Sequence, residues 1–526
     1  MYDIVIENGR LITGSGNPWL YGDVALVGDK IVRVGRLGGA EAGRRIDATG
    51  CYVSPGFIDG HSHSDLFLFV DPKAEPKVMH GVTTENVGID CMSVAPIEEK
   101  DIAGWRKHLS GLAGDPPIDW KWRSFADYLD ALDELQTSVN ISSYVGLGTI
   151  RLKLMGMTDR DATAPEVKAM TSLAVQAMEE GARGVSSGLI YPPSQYQSLE
   201  EVVAICEVVR DYDGIYDVHL RSEGDGLIAG MEEVIEIGRR SGIPIVVTHH
   251  KAMGKRNWGL SEQTLRMVDD ARRQGLDVTL EQYPYTAAST MFHAVIPPWY
   301  HAQGTQKLVD DLRNDREKIK KDIRERTDWE NWASNNGWEN IVISSVGSEK
   351  NRPYEGKTVV EIATMRGQAD PADTAMDLLA EEDLHVGMVV FCMDEKDVAR
   401  IMAHPTVSII TDGLLGGKPH PRVYGSFPRV LGHYVREQGV LGLEEAVRKM
   451  TSAPAQKLLM KFKGILGIGM DADVTVFRAD TVIDRATYDD PRQYAPGIEW
   501  VIVNGQVVVE AGVHTGARPG RTVRTR

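Results

Sequence analysis

The sequence predicts an α/β protein: a (β/α)8 TIM-like barrel, a small β-sandwich built from the N- and C-terminal segments, and an inserted lid. Three observations lead there. From about residue 55 to 450, β-rich runs alternate with helical stretches, which implies a parallel sheet, and around eight repeats favour closure into a barrel. Both chain ends read as short strands, and neither can bury a core alone. Between Ser289 and about Ala375 the alternation breaks into a charged, Trp-bearing stretch, expected to lie over the barrel mouth.

Residues 1–54 supply the first part of the sandwich. The run Asp3-Ile4-Val5-Ile6 precedes a predicted turn at Glu7-Asn8-Gly9, and Asp23–Val27 and Lys30–Val34 flank Gly28-Asp29. Residues 451–526 supply the second part, with a strand at Ala472–Phe477 and a hairpin at Trp500–Val509 that turns on Asn504-Gly505. The barrel, 55–450, starts at the extended run before His61. Expected strands at 141–146, 184–189, 215–219 and 243–249 are followed by helices at 165–180, 198–211, 227–240 and 261–274. Asp277–Leu280 continues the series, and Val386–Phe391 and Val407–Asp412 close it. The lid insertion falls at about 290–375.

Composition narrows the class. Hydrophobic residues at 42% and charged residues at 25% are ordinary for a globular protein. A net charge of −17 argues against a general nucleic-acid or anionic-membrane binder, since both are held by basic patches. Four scattered cysteines make no disulfide framework. The N-terminus lacks a signal-peptide pattern and no apolar run reaches 18 residues, so a cytoplasmic setting is expected.

The chemistry-bearing residues stand at predicted strand ends, where barrel enzymes place their active sites. His61 and His63 are spaced i, i+2, so a strand turns both imidazoles to one side. His219, His249 and Asp412 each end a further strand. Four histidines and one aspartate suit zinc, which takes imidazole nitrogen and carboxylate oxygen.

Longer blocks then point to a family. They include Pro55 through Asp65, Gly81-Val82-Thr83-Thr84, Gly188 through Pro193, His219 through Glu223 and Thr248-His249-His250-Lys251. Gln282 through Thr286, His420 through Arg429 and Gly469 through Val474 follow. With these blocks the chain resembles the amidohydrolase superfamily, and within it the D-aminoacylase (N-acyl-D-amino-acid deacylase) family, over nearly its whole length. The resemblance implies zinc-dependent hydrolysis of the amide bond of N-acyl-D-amino acids, with one or two ions. His61, His63, His219, His249 and Asp412 match its metal-ligand and catalytic positions. Lys251, Tyr283, Ser289 and Arg422 match positions that hold the substrate's free carboxylate. Asp412 is then expected to act as general base and acid, with Tyr191 helping to hold the oxyanion. The expected partner is a small carboxylate-bearing amide, and a homo-oligomer stays open.

One departure concerns the bridging ligand. Many family members use a cysteine after Gly-Val-Thr-Thr, but ungapped alignment puts Asp90 there, with Cys91 as the alternative. Leu147 and the loop Ser194-Gln195-Tyr196 also depart from the family pattern and leave room for another substrate. The rival readings are an amidohydrolase acting on a cyclic amide, a dipeptide or a different N-acyl amine, and a non-catalytic scaffold.

Overall fold

Both chain ends alternate apolar and polar residues, and the computed structural model, which describes residues 1–525, joins them in one nine-stranded sheet. Tyr2–Leu11 is its hub: antiparallel to Leu20–Val27, parallel to Ala42–Asp47 and Tyr52–Pro55. Val474–Phe477 pairs antiparallel with Tyr52–Pro55 and passes the sheet on to Ile498–Val503 and Gln506–Glu510. Its core mixes residues from both ends, among them Ile4, Val24, Val53, Val474 and Ile502. The Asn504-Gly505 turn forms as expected, with φ of 47° and 77°. Asn8-Gly9 does not turn. It is a bulge inside the long strand, where the register shifts between Ile6 and Gly9. Asn8 sits there at φ 64°, its side chain donating to Asp47 Oδ1 at 3.0 Å.

Eight parallel strands build the barrel: Phe57–Asp59, Val82–Val87, Asn140–Ser143 continued by Val145–Gly146, Gly184–Gly188, Ile215–His219, Ile245–Val247, Val278–Gln282 and Val407–Ile409. Each pairs with the next. The last returns to the first: the Asp412 N–H donates to His61 O at 3.0 Å and the His63 N–H to Gly413 O at 3.2 Å. The helices between strands run Ala164–Glu179, Leu199–Arg210, Leu227–Ser241 and Ser261–Arg273, close to their expected spans. Local chemistry sets their ends. A Thr163/Glu166 capping box starts the first, Ser198 caps the second, and Gly242 at φ 72° stops the third.

Val386–Phe391 is not a barrel strand. It is the middle of an antiparallel sheet with Ala287–Met291 and Ile341–Val346, within the excursion that leaves the barrel after Gln282. A fully apolar run marks a strand buried on both faces without saying in which sheet. Val82–Val87 takes the eighth barrel place instead. Its Thr-Thr-Glu-Asn interior hides a strand from a hydrophobicity reading, because this barrel is polar inside. Glu85 accepts from Ser62 (2.8 Å) and Ser64 (2.9 Å).

That polar interior holds the site's floor. Buried Lys77 donates to Asp59 at 2.5 Å, to Thr411 at 2.6 Å and to Ser62 at 2.8 Å. It therefore ties the first and last strands together beneath His61 and His63. Lys77→Met would leave the Asp59 and Glu85 carboxylates buried without a counter-charge. The expected loss is about 3–5 kcal/mol of stability in urea unfolding, and a loss under about 1 kcal/mol would show that the network is replaceable.

Candidate metal centre and substrate corner

The barrel strands deliver their terminal side chains to one rim. Two donor groups form there. His61, His63, Asp90 and Asp412 make one, Asp90, His219 and His249 the other, and in each the donor atoms lie within 4.8 Å of one another. Asp90 belongs to both. Its Oδ2 is 3.6 Å from His61 Nε2, 3.7 Å from His63 Nε2, 3.8 Å from His219 Nδ1 and 3.4 Å from His249 Nε2. Asp412 Oδ1 stands 3.3 Å from His63 Nε2.

The backbone is bent to do this. Asp90, His249 and Asp412 sit at φ of 51°, 29° and 49°, the left-handed region that side-chain-bearing residues seldom occupy. Cys91 joins neither donor group. Its thiol packs beside Gly148, and burial pushes its pKa up, the wrong direction for a thiolate ligand.

Beside the donors lies a small cavity walled by His63, Tyr191, Tyr283, Ser289, Arg422 and Trp332, with Lys251 and Glu223 at the same wall. All four residues expected at a substrate carboxylate are therefore gathered. Two are already engaged with the protein's own carboxylates: Lys251 pairs with Glu223 at 2.5 Å, and Arg422 Nη1 with Asp412 Oδ2 at 2.8 Å. Arg422 nevertheless keeps Nε and Nη1 without an aligned hydrogen bond, and the buried Tyr283 hydroxyl has no partner among the described residues. Buried donors left open in this way suit an oxygen-rich ligand. The Ser289 hydroxyl is spent on Met388 O at 2.9 Å.

Sequence patterns match the same picture. The Amidohydrolase family model matches residues 44–509. The chain belongs to the amidohydrolase family. It is 36% identical to the D-aminoacylase of Alcaligenes xylosoxydans xylosoxydans, covering 99% of this chain and 97% of that one. It is 37% identical to the N-acyl-D-glutamate deacylase of the same organism, over 99% and 96% of the two chains. Among solved structures, the N-acyl-D-glutamate deacylase of Bordetella bronchiseptica, complexed with zinc and a phosphonate inhibitor, superposes with a TM-score of 0.84 at 33% identity over 99% of both chains.

The donor set of this amidohydrolase fits a cation on its own chemistry. Both ring nitrogens of His61 and Nε2 of His219 are buried without hydrogen-bond partners. The Asp90 and Asp412 oxygens stand 3.3–3.8 Å from the histidine nitrogens, near the ~3.3 Å edge of a zinc tetrahedron, and His219 Nδ1 meets His249 Nε2 at 2.9 Å. Burial alone would raise the Asp90 carboxyl, but His249 and His61 outweigh it and hold it well below the usual carboxylate range. Asp412 behaves alike: burial raises it, and Arg422 with the neighbouring histidines brings it down. Tyr191 is pushed up by burial, so its phenol stays protonated and can donate. It packs edge-on to His219 and shares a 2.9 Å hydrogen bond with Thr290.

Glu223, Thr290 and Trp332 were not anticipated. Glu223 faces His249 Nδ1 at 3.1 Å, which orients the ring and turns Nε2 to Asp90. A carboxylate four residues past His219, in the loop leaving a strand end, was the available signal. Trp332 and Thr290 come from the excursion, and local sequence does not say where it folds back.

Proposed function

We propose that this chain hydrolyses the amide bond of N-acyl-D-amino acids, releasing a carboxylic acid and a D-amino acid. One observation carries it: two His/Asp donor groups share Asp90 directly beside the open donors of Arg422 and Tyr283. That juxtaposition suits an amide whose neighbouring carbon bears a carboxylate. Relatives named D-aminoacylase and N-acyl-D-glutamate deacylase, alike over nearly the full length, support the same reading.

In this reading His61, His63, Asp90, His219, His249 and Asp412 hold one or two zinc ions. Bound zinc lowers the pKa of a water to roughly 7 and polarises a carbonyl. The rest falls to the chain's own groups. Arg422 and Tyr283 take the substrate carboxylate, with Lys251 behind them. The incoming carboxylate competes with Asp412 for Arg422, and so frees Asp412 Oδ2. Asp412 then accepts the proton as water oxygen bonds to the acyl carbon. The Tyr191 phenol donates to the oxyanion. Asp412 returns the proton to the nitrogen as the C–N bond breaks.

The test is a panel of paired D- and L-N-acetyl amino acids with hydantoins and dipeptides, using zinc-loaded enzyme. Turnover is expected for D-substrates, with loss on chelation and recovery on adding zinc. Turnover of cyclic amides or dipeptides without N-acetyl-D-amino acids would overturn the assignment.

A further inference from the structure

Away from the rim, three histidines meet in the interior. His108 lies on the helix Glu99–Ala113, while His293 and His301 lie in the turns that open the excursion. All three are buried, and one nitrogen from each falls within 4.8 Å of the others. We propose that His108, His293 and His301 form a separate zinc site that clamps the excursion to the barrel.

The hydrogen bonding argues for it. His293 Nε2 faces the carbonyl of His108 at 2.9 Å, and His301 Nε2 that of Ile296 at 3.3 Å. A carbonyl only accepts, so each Nε2 carries its proton and each Nδ1 presents a lone pair. A ligating histidine is commonly held in this way, one nitrogen fixed by a carbonyl and the other free for the ion. Among the described residues, His293 Nδ1 has no partner and neither ring nitrogen of His108 makes an aligned hydrogen bond, although one of them faces the Pro192 carbonyl. The open nitrogens of His108 and His293 are costly in a buried spot unless something binds them.

Burial brings His293 down to about 4 and His301 to about 3, and His108 is lowered as well. The rings are therefore neutral, the form that binds metal. Two nitrogens on a tetrahedral zinc are ~3.3 Å apart, so small side-chain rotations complete the set. Trp105 stacks on His108 at 5.0 Å and holds its ring plane. His293 and His301 also border a cavity of about 20 Å³. That is room for one water as a fourth ligand. Gln195, whose Oε1 is unpartnered, borders it too and offers an alternative fourth donor. The same cavity touches Tyr191 and Trp332, so the clamp would stand directly behind two walls of the rim site.

The site does not depend on the proposed hydrolysis. Its test is zinc content by mass spectrometry in a His61→Ala/Asp90→Ala/His249→Ala background, which removes the shared ligand and one more from each rim donor group. One equivalent should remain, and His293→Phe or His301→Phe should remove it. Zinc content unchanged by either replacement in folded protein would overturn the proposal. Should the variants not fold, anomalous diffraction at the zinc edge decides it on the unmodified chain with zinc in excess of the two ions the rim can take. A peak among the three rings supports the clamp, and peaks confined to the rim overturn it.

Discussion

Asp412→Asn is expected to lower kcat by about 10²–10⁴-fold while the fold stays intact. Asparagine matches aspartate in shape and tolerates the left-handed backbone, so φ 49° adds no strain. The Asp412 N–H bond to His61 O, which helps close the barrel, is a main-chain bond and survives. What disappears is the carboxylate proposed to accept the proton. Zinc content measured beside kcat separates a lost ligand from a lost base. A variant that keeps zinc and turns over within about tenfold of the parent would remove Asp412 from the role. The pH profile adds a signed check. Arg422 and the histidines hold the Asp412 carboxyl below its ordinary value, against burial. It therefore stays ionised as pH falls through the usual carboxylate range, and the acid limb of kcat/KM assigned to it should lie below that range. Losing Arg422 removes a main lowering influence, so the limb should move up.

The barrel and its rim were legible because their signals are local. Helices such as Leu227–Ser241 combine an apolar stripe with a glycine stop, and His61 and His63 lie just past the end of Phe57–Asp59, where their i, i+2 spacing keeps both rings at the rim. The failures share a different cause. Val386–Phe391 is as apolar as any barrel strand, and only its antiparallel partners at 287–291 and 341–346 reveal its sheet. Val82–Val87 was passed over because its inward residues are polar, matched by Ser62, Ser64 and Ser142 from neighbouring strands or loops. At Asn8-Gly9 a hairpin pair became a bulge, because Tyr2–Leu11 runs on to meet Tyr52–Pro55. At the site, residue types were readable and pairings were not. No local pattern says that Arg422 meets Asp412, or that Lys251 meets Glu223. Arg422 and Asp412 meet within the segment that follows the last strand, and Lys251 and Glu223 follow two neighbouring strands, so the loop geometry sets both contacts.

Arg422→Ala should raise KM for N-acyl amino acids by about 10- to 100-fold, the equivalent of about 1.5–3 kcal/mol for hydrogen bonds to a charged group. Arg422 is wholly buried, and its position is well determined by its neighbours. Nη2 donates to Ser289 O at 3.0 Å, and the guanidinium lies 4.6 Å from the centre of the Tyr283 ring. Among the described residues its carboxylate partner is Asp412 at 2.8 Å. An arginine that only served Asp412 would, when removed, change kcat alike for every substrate. One that also binds the substrate carboxylate would distinguish substrates. The decisive quantity is therefore a ratio: kcat/KM for an N-acetyl-D-amino acid over that for its carboxamide. The ratio should collapse in Arg422→Ala, because the carboxamide never used the charge. Arg422→Lys should restore part of the Asp412 contact but little of the ratio, since a lysine ammonium is a point charge and cannot form a planar fork. An unchanged ratio in the alanine variant would confine Arg422 to Asp412 and leave the substrate carboxylate to Lys251 and Tyr283.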